Sequence, residues 1–424
     1  VSAFSRTHAS TGDTGVGVAT VSEVVDRLCS VAVDRRPGSR GNAEAVDYVA
    51  GRFAAAGWAV SLPEFACLDW KGGDATVRIG SELISLTPSP YGIGVTTSGP
   101  IRVVNTAAEL DREDLAGSVL VVAGELVSEP MTPKAFPFYA SAQHSAVIHS
   151  VETSRPEAVI AVTGKHPELC GALEPFPWIE DGDFEIPVAA VRPEDAGSLL
   201  DSDSATAHVT IDAVRIRSTA RNIIARRGPE GRRLTVCAHI DTKPGTPGAV
   251  DNATGIAALV HLAERLGNGA SLPVGVELLC VNGEDHFAAP GEVAWLADNE
   301  SSLDDIELFV NIDGAGYHHG RTAFSFYNVE EPSAQTIRAQ FAPFADLIEG
   351  PAWYQSDHAI LAMRGRPALA FTTEHVARML EELFHSEHDT VDKVAPERVV
   401  SMVAGLEVVV LNWGSAVAPP GSVR

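Results

Sequence analysis

The spacing of apolar and polar positions changes twice along this chain of 424 residues. Val21 to Val33 and Asn42 to Ala56 repeat apolar residues with the helical period and predict two amphipathic helices. Between them, Asp34-Arg35-Arg36-Pro37-Gly38-Ser39-Arg40-Gly41 is dense in helix breakers. Residues 1–18 carry no such period and read as a flexible arm, and Trp58 to Phe65 reads as a strand. From about Asp74 to Val214 short β-type runs take over: Ala75–Ile79, Ile101–Val104, Ser118–Val122, Ala158–Val162, Ile186–Val191 and His208–Ile211. Helices expected at His144–Val151 and Pro193–Leu200 interrupt them, so residues 74–214 read as a separate, mostly β insert.

From Asn222 the pattern alternates strand and helix, which predicts an α/β unit with a largely parallel sheet. The strands expected are Asn222–Ala225, Leu234–Ala238, Val276–Val281, Leu308–Ile312, Ala323–Tyr327 and Ala368–Thr372. The helices expected are Ala253–Leu266, Gly291–Ala297, Ala334–Phe344 and Glu397–Leu411. Three segments follow: residues 1–73 as the arm and first part of the catalytic unit, 74–214 as the insert, and 215–424 as its main part.

Polar residues gather where these strands end. Leu234–Ala238 runs into His239-Ile240-Asp241, then a Pro- and Gly-rich loop, then Asp251-Asn252 at the start of a helix. In open α/β sheets, sites lie outside the carboxyl ends of strands, and imidazole with carboxylate there suits a divalent metal. Taken alone, the stretch is equally well a strand-end histidine bonded to an aspartate, beside an aspartate helix cap. Downstream, Val276–Val281 runs into Asn282-Gly283-Glu284-Asp285, and Leu308–Val310 into Asn311-Ile312-Asp313-Gly314. Phe384-His385 precedes Asp389-Thr390-Val391-Asp392. Singly, each cluster is ordinary turn or cap chemistry. Most follow a strand directly, and in a parallel sheet those strand ends share one edge, so a joint site outweighs the separate readings.

Composition narrows the field. Fifty-six acidic against 31 basic residues give a formal net charge of −25, which argues against nucleic acid or an anionic membrane as partner. Five scattered cysteines, Cys29, Cys67, Cys170, Cys237 and Cys280, imply neither a disulfide framework nor a cysteine-type zinc site. No apolar run approaches a membrane span. The polar N-terminal stretch lacks the apolar core of a signal peptide, so a cytoplasmic location is expected. The first residue is Val, not Met, which leaves a removed leader open.

The ordered set His239-Ile240-Asp241, Asp251-Asn252-Ala253-Thr254-Gly255, Gly283-Glu284-Asp285, Asn311-Ile312-Asp313, Ser356-Asp357-His358 and Phe384-His385 with Asp389-Thr390-Val391-Asp392 resembles the co-catalytic two-zinc metallopeptidases. These include bacterial leucyl aminopeptidases and glutamate carboxypeptidases, with glutaminyl cyclases as divergent relatives. The match covers residues 220–413, and the insert resembles the protease-associated domain of some members. The resemblance implies a zinc-peptidase-like mixed, mainly parallel sheet with helices on both faces. It implies two divalent ions, zinc with manganese or cobalt as alternatives. His239 and Asp313 would hold one ion, Asp285 and His385 the other, and Asp251 would bridge. Glu284 would be the general base, and Asp241 would accept the second ring N–H of His239. A cis peptide between Asp251 and Asn252 is also implied. The five ligand positions are filled without His318, His319 or His388.

Two departures stand out. Asp285 replaces the usual second glutamate and is one methylene shorter. Phe384 stands where a tyrosine commonly supplies a hydroxyl, and phenylalanine donates nothing. Tyr354 is the substitute donor, or else a packed aromatic. The function expected is a metal-dependent exopeptidase, foremost an aminopeptidase, with a peptide or small amide as substrate. The alternatives are an amidase, deacylase or carboxypeptidase-like hydrolase, with Arg364 or Arg366 as a carboxylate anchor. An inactive binding module and a glutaminyl-cyclase-like acyltransferase rank below these. The insert is expected to border the catalytic cleft.

Overall fold

Leu234, Val236 and Ala238 bury against one layer of helices, while Cys237, one register step away, buries against another. A strand covered on both faces loses the apolar–polar alternation of a half-exposed one, which is why Leu234–Ala238 reads as a continuous apolar run. A computed structural model of the chain describes residues 11–134, 136–166, 173–267 and 269–414. The first ten residues of the expected arm, and Cys170, lie outside the described residues.

The central sheet has eight strands. Their order is Ala59–Ser61, Ile223–Arg227, Gly275–Val281, Arg233–His239, Ile306–Ile312, Ala368–Thr373, Thr322–Tyr327 and Leu347–Glu349. The middle four are parallel, while Ile223–Arg227 and Thr322–Tyr327 join antiparallel on either side. This is the mixed, mainly parallel sheet expected. Helices Thr11–Ser30, Arg40–Ala55, Thr254–Arg265 and Pro396–Leu411 cover one face, and Pro290–Asn299 with His358–Ala362 covers the other. Thr254–Arg265 is buried on nearly every side, so its apolar residues run all round rather than in one stripe.

Residues 11–18, expected as arm, are the first turns of helix Thr11–Ser30. Packing overrides a glycine-rich sequence there. A Cβ on Gly17 would come within 2.9 Å of the His261 ring, so only glycine lets the two helices approach so closely.

The second body is a closed barrel of seven strands. Strands Glu64–Ile79 and Thr206–Arg221 pair antiparallel from Glu64↔Arg221 to Ile79↔Ala207. They therefore run past both 74 and 214, the positions where the sequence texture changes. Ala207, Val209, Ile211 and Ala213 point inward and alternate with exposed residues, the period of a half-buried strand. The expected strand Trp58–Phe65 is two elements. Ala59–Ser61 joins the central sheet, and Glu64 begins the barrel strand. Pro63 lies between them and has no N–H to give a ladder.

Candidate metal centre

His239 pairs with Val281 in register, and Cys237 with Asn311, so three parallel strands end together. Their ends deliver His239, the Glu284-Asp285 pair and Asp313 to one edge. Asp251 arrives at the end of the loop that follows His239, and His385 from the turn after helix Val376–Glu382. His239 Nε2 lies 3.1 Å from Asp251 Oδ1 and 3.6 Å from Asp313 Oδ1. On the other side, His385 Nε2 lies 3.0 Å from Asp285 Oδ1 and 3.5 Å from Asp251 Oδ2. Asp251 therefore offers one oxygen to each group.

These contacts leave the donor atoms unsatisfied. His239 Nε2, both carboxylate oxygens of Asp251, Asp285 Oδ2 and Asp313 Oδ1 are buried with no hydrogen-bond partner. Buried polar atoms are rarely orphaned, and a cluster of them around two imidazoles fits divalent cations. Two groups can each hold an ion, His239 with Asp251 and Asp313, and Asp251 with Asp285 and His385. A third combines His239, Glu284 and Asp285. His318, His319 and His388 are in none of these groups.

Three residues hold this edge in shape. Asp241 acts differently from expectation. The His239 Nδ1–H donates to the main-chain carbonyl of Asp241 at 3.2 Å, while the Asp241 carboxylate stands 3.8 Å away. That carboxylate instead accepts the backbone N–H groups of Gly283, Glu284 and Asp285 at 2.6, 3.2 and 3.0 Å. The turn after strand Gly275–Val281 presents three free donors, and a carboxylate is their best partner. Asp389 does the same for the bridge: its oxygens accept from the N–H groups of Val250 and Asp251 at 2.8 and 2.9 Å. The Asp251–Asn252 peptide is cis, as expected.

Arg35 is 1% exposed and ties the loop between His239 and Asp251 to the first helices. Its guanidinium donates to the carbonyls of Ile240, Pro247 and Gly248 at 3.0, 2.6 and 2.9 Å. Gly248 has φ of 62°, and a Cβ there would meet Thr242 Cγ2 at 2.2 Å, so the loop closes only on glycine. Replacing Arg35 by Leu strands three buried acceptors and is expected to cost on the order of 3 kcal/mol or more. Denaturant unfolding of chelated protein reads that cost, and metal content after gel filtration reads the loosened loop. Unchanged values of both would show that the loop holds itself.

Burial dominates the electrostatics. It pushes Asp251 up to about 6, with the Asp285 charge adding to the effect. It also pushes Asp389 up to about 7, with help from Asp251. Burial raises Glu284 well above the usual carboxylate range. For His239, burial works against the charged ring, but the carboxylates of Asp251 and Asp313 prevail and raise its pKa. Positive charge delivered by metal would reverse this logic for the aspartates.

A cavity of about 280 Å³ opens over the centre and is lined by Glu284, Asp285, Asp313 and His385. Phe136, Phe138 and Tyr139 from the barrel segment form part of its wall, so that segment borders the cleft. Tyr354 lines it too, but is 57% exposed and meets Tyr327 edge-on. The Phe384 ring lies against the His385 ring with centroids 4.0 Å apart. Arg364 is turned to the carbonyl of Ile360, and Arg366 to Asp304 and the carbonyl of Leu303. Neither lines the cavity.

Sequence reasoning overlooked several residues here. Asp389 belongs to the acidic cluster that the sequence shows after His385, but its role does not follow from it, since a carboxylate that binds backbone leaves no periodic trace. Arg35 sat in what read as a breaker. Glu292 lines the cavity, and burial pushes it well up beside Asp357, which is raised to about 6. Lys243, in the loop after His239, also lines the cavity.

Residues 222–409 match the family model described as Peptidase family M28. The chain is 26% identical over 292 residues to a protein named Probable lipoprotein aminopeptidase LpqL of Mycobacterium tuberculosis, covering 66% of this chain and 54% of the relative. It is 23% identical over 274 residues to Aminopeptidase YwaD of Bacillus subtilis, covering 59% and 55%. The chain thus spans about half the length of the curated relatives it matches. Among solved structures, an aminopeptidase from Aneurinibacillus sp. strain AM-1 superposes with a TM-score of 0.72 at 19% identity, covering 93% of both chains. A zinc aminopeptidase from Bacillus subtilis gives 0.71 at 17% identity, covering 93% of this chain and 94% of its own. At such identities the superpositions speak to the fold.

Proposed function

Residues 222–409 of this chain belong to peptidase family M28, and on that premise we propose that the protein is a metal-dependent aminopeptidase acting on peptides. The observation that carries the proposal is the set of orphaned donor atoms on His239, Asp251, Asp285 and Asp313, gathered with His385 at one sheet edge. Names of relatives support the same reading. His239, Asp313 and Asp251 would hold one ion, and Asp285, His385 and Asp251 the other. Zinc fits this nitrogen–oxygen donor set, with manganese or cobalt as alternatives. Bound divalent ions supply Lewis acidity toward a carbonyl and a water.

The chain's own groups do the rest. Glu284 projects into the cavity, takes a proton from the attacking water and returns it to the leaving amine. Asp241 and Asp389 hold the turns that aim Glu284, Asp285 and Asp251. Glu284 and Glu292 line the cavity and offer oxygens that can accept from a substrate ammonium. Tyr354 remains our candidate donor to the developing oxyanion, since it lines the cavity together with Glu284 and Asp313. We take the barrel as the protease-associated-like insert. Its contribution of aromatic wall to the cleft supports a role in limiting substrate size. No helix among the described residues is long and apolar enough to cross a membrane.

Paired peptides with free and acetylated N-termini test the reading. Cleavage of the free form, lost on chelation, is the expected result. Preferential cleavage of the acetylated form would replace the aminopeptidase reading with the carboxypeptidase-like or deacylase alternative.

A further inference from the structure

The cavity walls are mostly apolar or acidic, and Lys243 is an exception. Lys243 lines the same space as Glu284 and Asp285, in a loop four residues past His239. Its side chain is 19% exposed, and Nζ pairs at 2.8 Å with a carboxylate oxygen of Glu180, itself 16% exposed. Glu180 belongs to the barrel unit, just before the Asp181–Asp183 turn that is tied to the backbone N–H of Lys134. The pair thus bridges the two bodies at the cavity rim. Arg364 and Arg366, the cations that the sequence put forward for a carboxylate, are both engaged elsewhere.

We propose that Lys243 is the anchor for the C-terminal carboxylate of a short peptide, making the favoured substrate a dipeptide or tripeptide with a free C-terminus. The proposal rests on the aminopeptidase reading and specifies its substrate class. Three features carry it. The cavity, at about 280 Å³, is at the small end for a ligand site, and the aromatic segment Phe136–Tyr139 walls it on the barrel side. Successive Cα atoms lie about 3.8 Å apart, so the carboxylate of a dipeptide falls within one residue of the scissile bond, on the scale of this cavity. Lys243 already pairs with a carboxylate, that of Glu180 at 2.8 Å. An incoming carboxylate exchanges with Glu180 and leaves the charge count at the ammonium unchanged. An anionic product end would otherwise meet Glu284, Glu292 and a chain of net charge −25.

The experiment uses the metal-loaded full chain with Leu-Gly, Leu-Gly amide and N-acetyl-Leu-Gly. The readout is the ratio of kcat/KM for Leu-Gly over Leu-Gly amide. In the wild type this ratio is expected to exceed one by about tenfold, chiefly through KM, as for a single charged anchor. Lys243→Met should bring it to about one, whereas Glu180→Gln, which removes the competing carboxylate, should not lower it. Lys243→Arg keeps the charge and should retain most of the preference, which guards against a Met variant that fails to fold. A wild-type ratio near one overturns the proposal. So does a Lys243→Met variant that loses kcat equally on both substrates, because Lys243 would then serve the reacting carbonyl. Failure of the underlying reading looks different: the acetylated peptide would be cleaved and the free-amine amide would not.

Discussion

Glu284→Gln retains its metal and loses kcat by about 10²–10⁴-fold, the usual cost of removing a general base. Glutamine keeps the shape and hydrogen-bonding reach of glutamate but cannot accept a proton. Glu284 is the carboxylate at this edge best placed for the role. Asp251, Asp285 and Asp313 each approach an imidazole nitrogen at 3.0–3.6 Å, while Glu284 faces the cavity. Burial raises the Glu284 pKa above the usual carboxylate range, and divalent charge bound nearby would lower it again. Asp285→Asn is the contrasting variant. It should weaken metal retention and recover in part with excess metal. A competitive inhibitor should still bind Glu284→Gln. Because Glu284 also falls within a possible ligand group with His239 and Asp285, the two variants must be compared directly. Metal loss in Glu284→Gln, reversed by added metal, would make Glu284 a ligand and exchange the two roles.

Chelation abolishes hydrolysis, and reconstitution restores it with close to two equivalents of metal per chain. Without metal, three buried carboxylates and the half-buried Glu284 crowd two imidazoles, and several of the buried oxygens have no partner. Ions that bind only the folded state relieve this strain. At a free concentration a hundredfold above Kd, each adds about 2.7 kcal/mol to stability. The chelated protein should therefore melt several degrees lower than the loaded one. Calorimetry of both forms, together with elemental analysis along the titration, measures the two effects. Activity that survives exhaustive chelation would remove metal from the reaction, and a plateau at one equivalent would favour a single-ion site.

The parts of the site that were legible in the sequence share a physical cause. His239, Asp285 and Asp313 follow strands whose apolar runs are unmistakable, because those strands are buried on both faces. Parallel pairing then brings their ends to one edge. Asp251 was legible as the polar start of an apolar helix. The small edge strand Leu347–Glu349 and the helices His358–Ala362 and Val376–Glu382 were not, since each is too short to show a period. The barrel was legible as β texture, but its long outer strands were not. Their polar stretches pair with each other through backbone ladders that need no apolar signal.

By itself the sequence determined the class of fold, the order of the strands that carry donors and the identity of the groups with unpaired chemistry. These follow from local period and from residue type, which the chain states one position at a time. Tertiary structure alone decided which atoms those groups present. It turned the Asp241 carboxylate to three backbone donors and its carbonyl to His239. It seated Arg35 under the loop, set Asp389 behind Asp251 and brought Glu180 of the barrel to Lys243. All but the His239 contact to the Asp241 carbonyl join residues remote in the chain, fixed by how whole layers pack, and no local pattern encodes them.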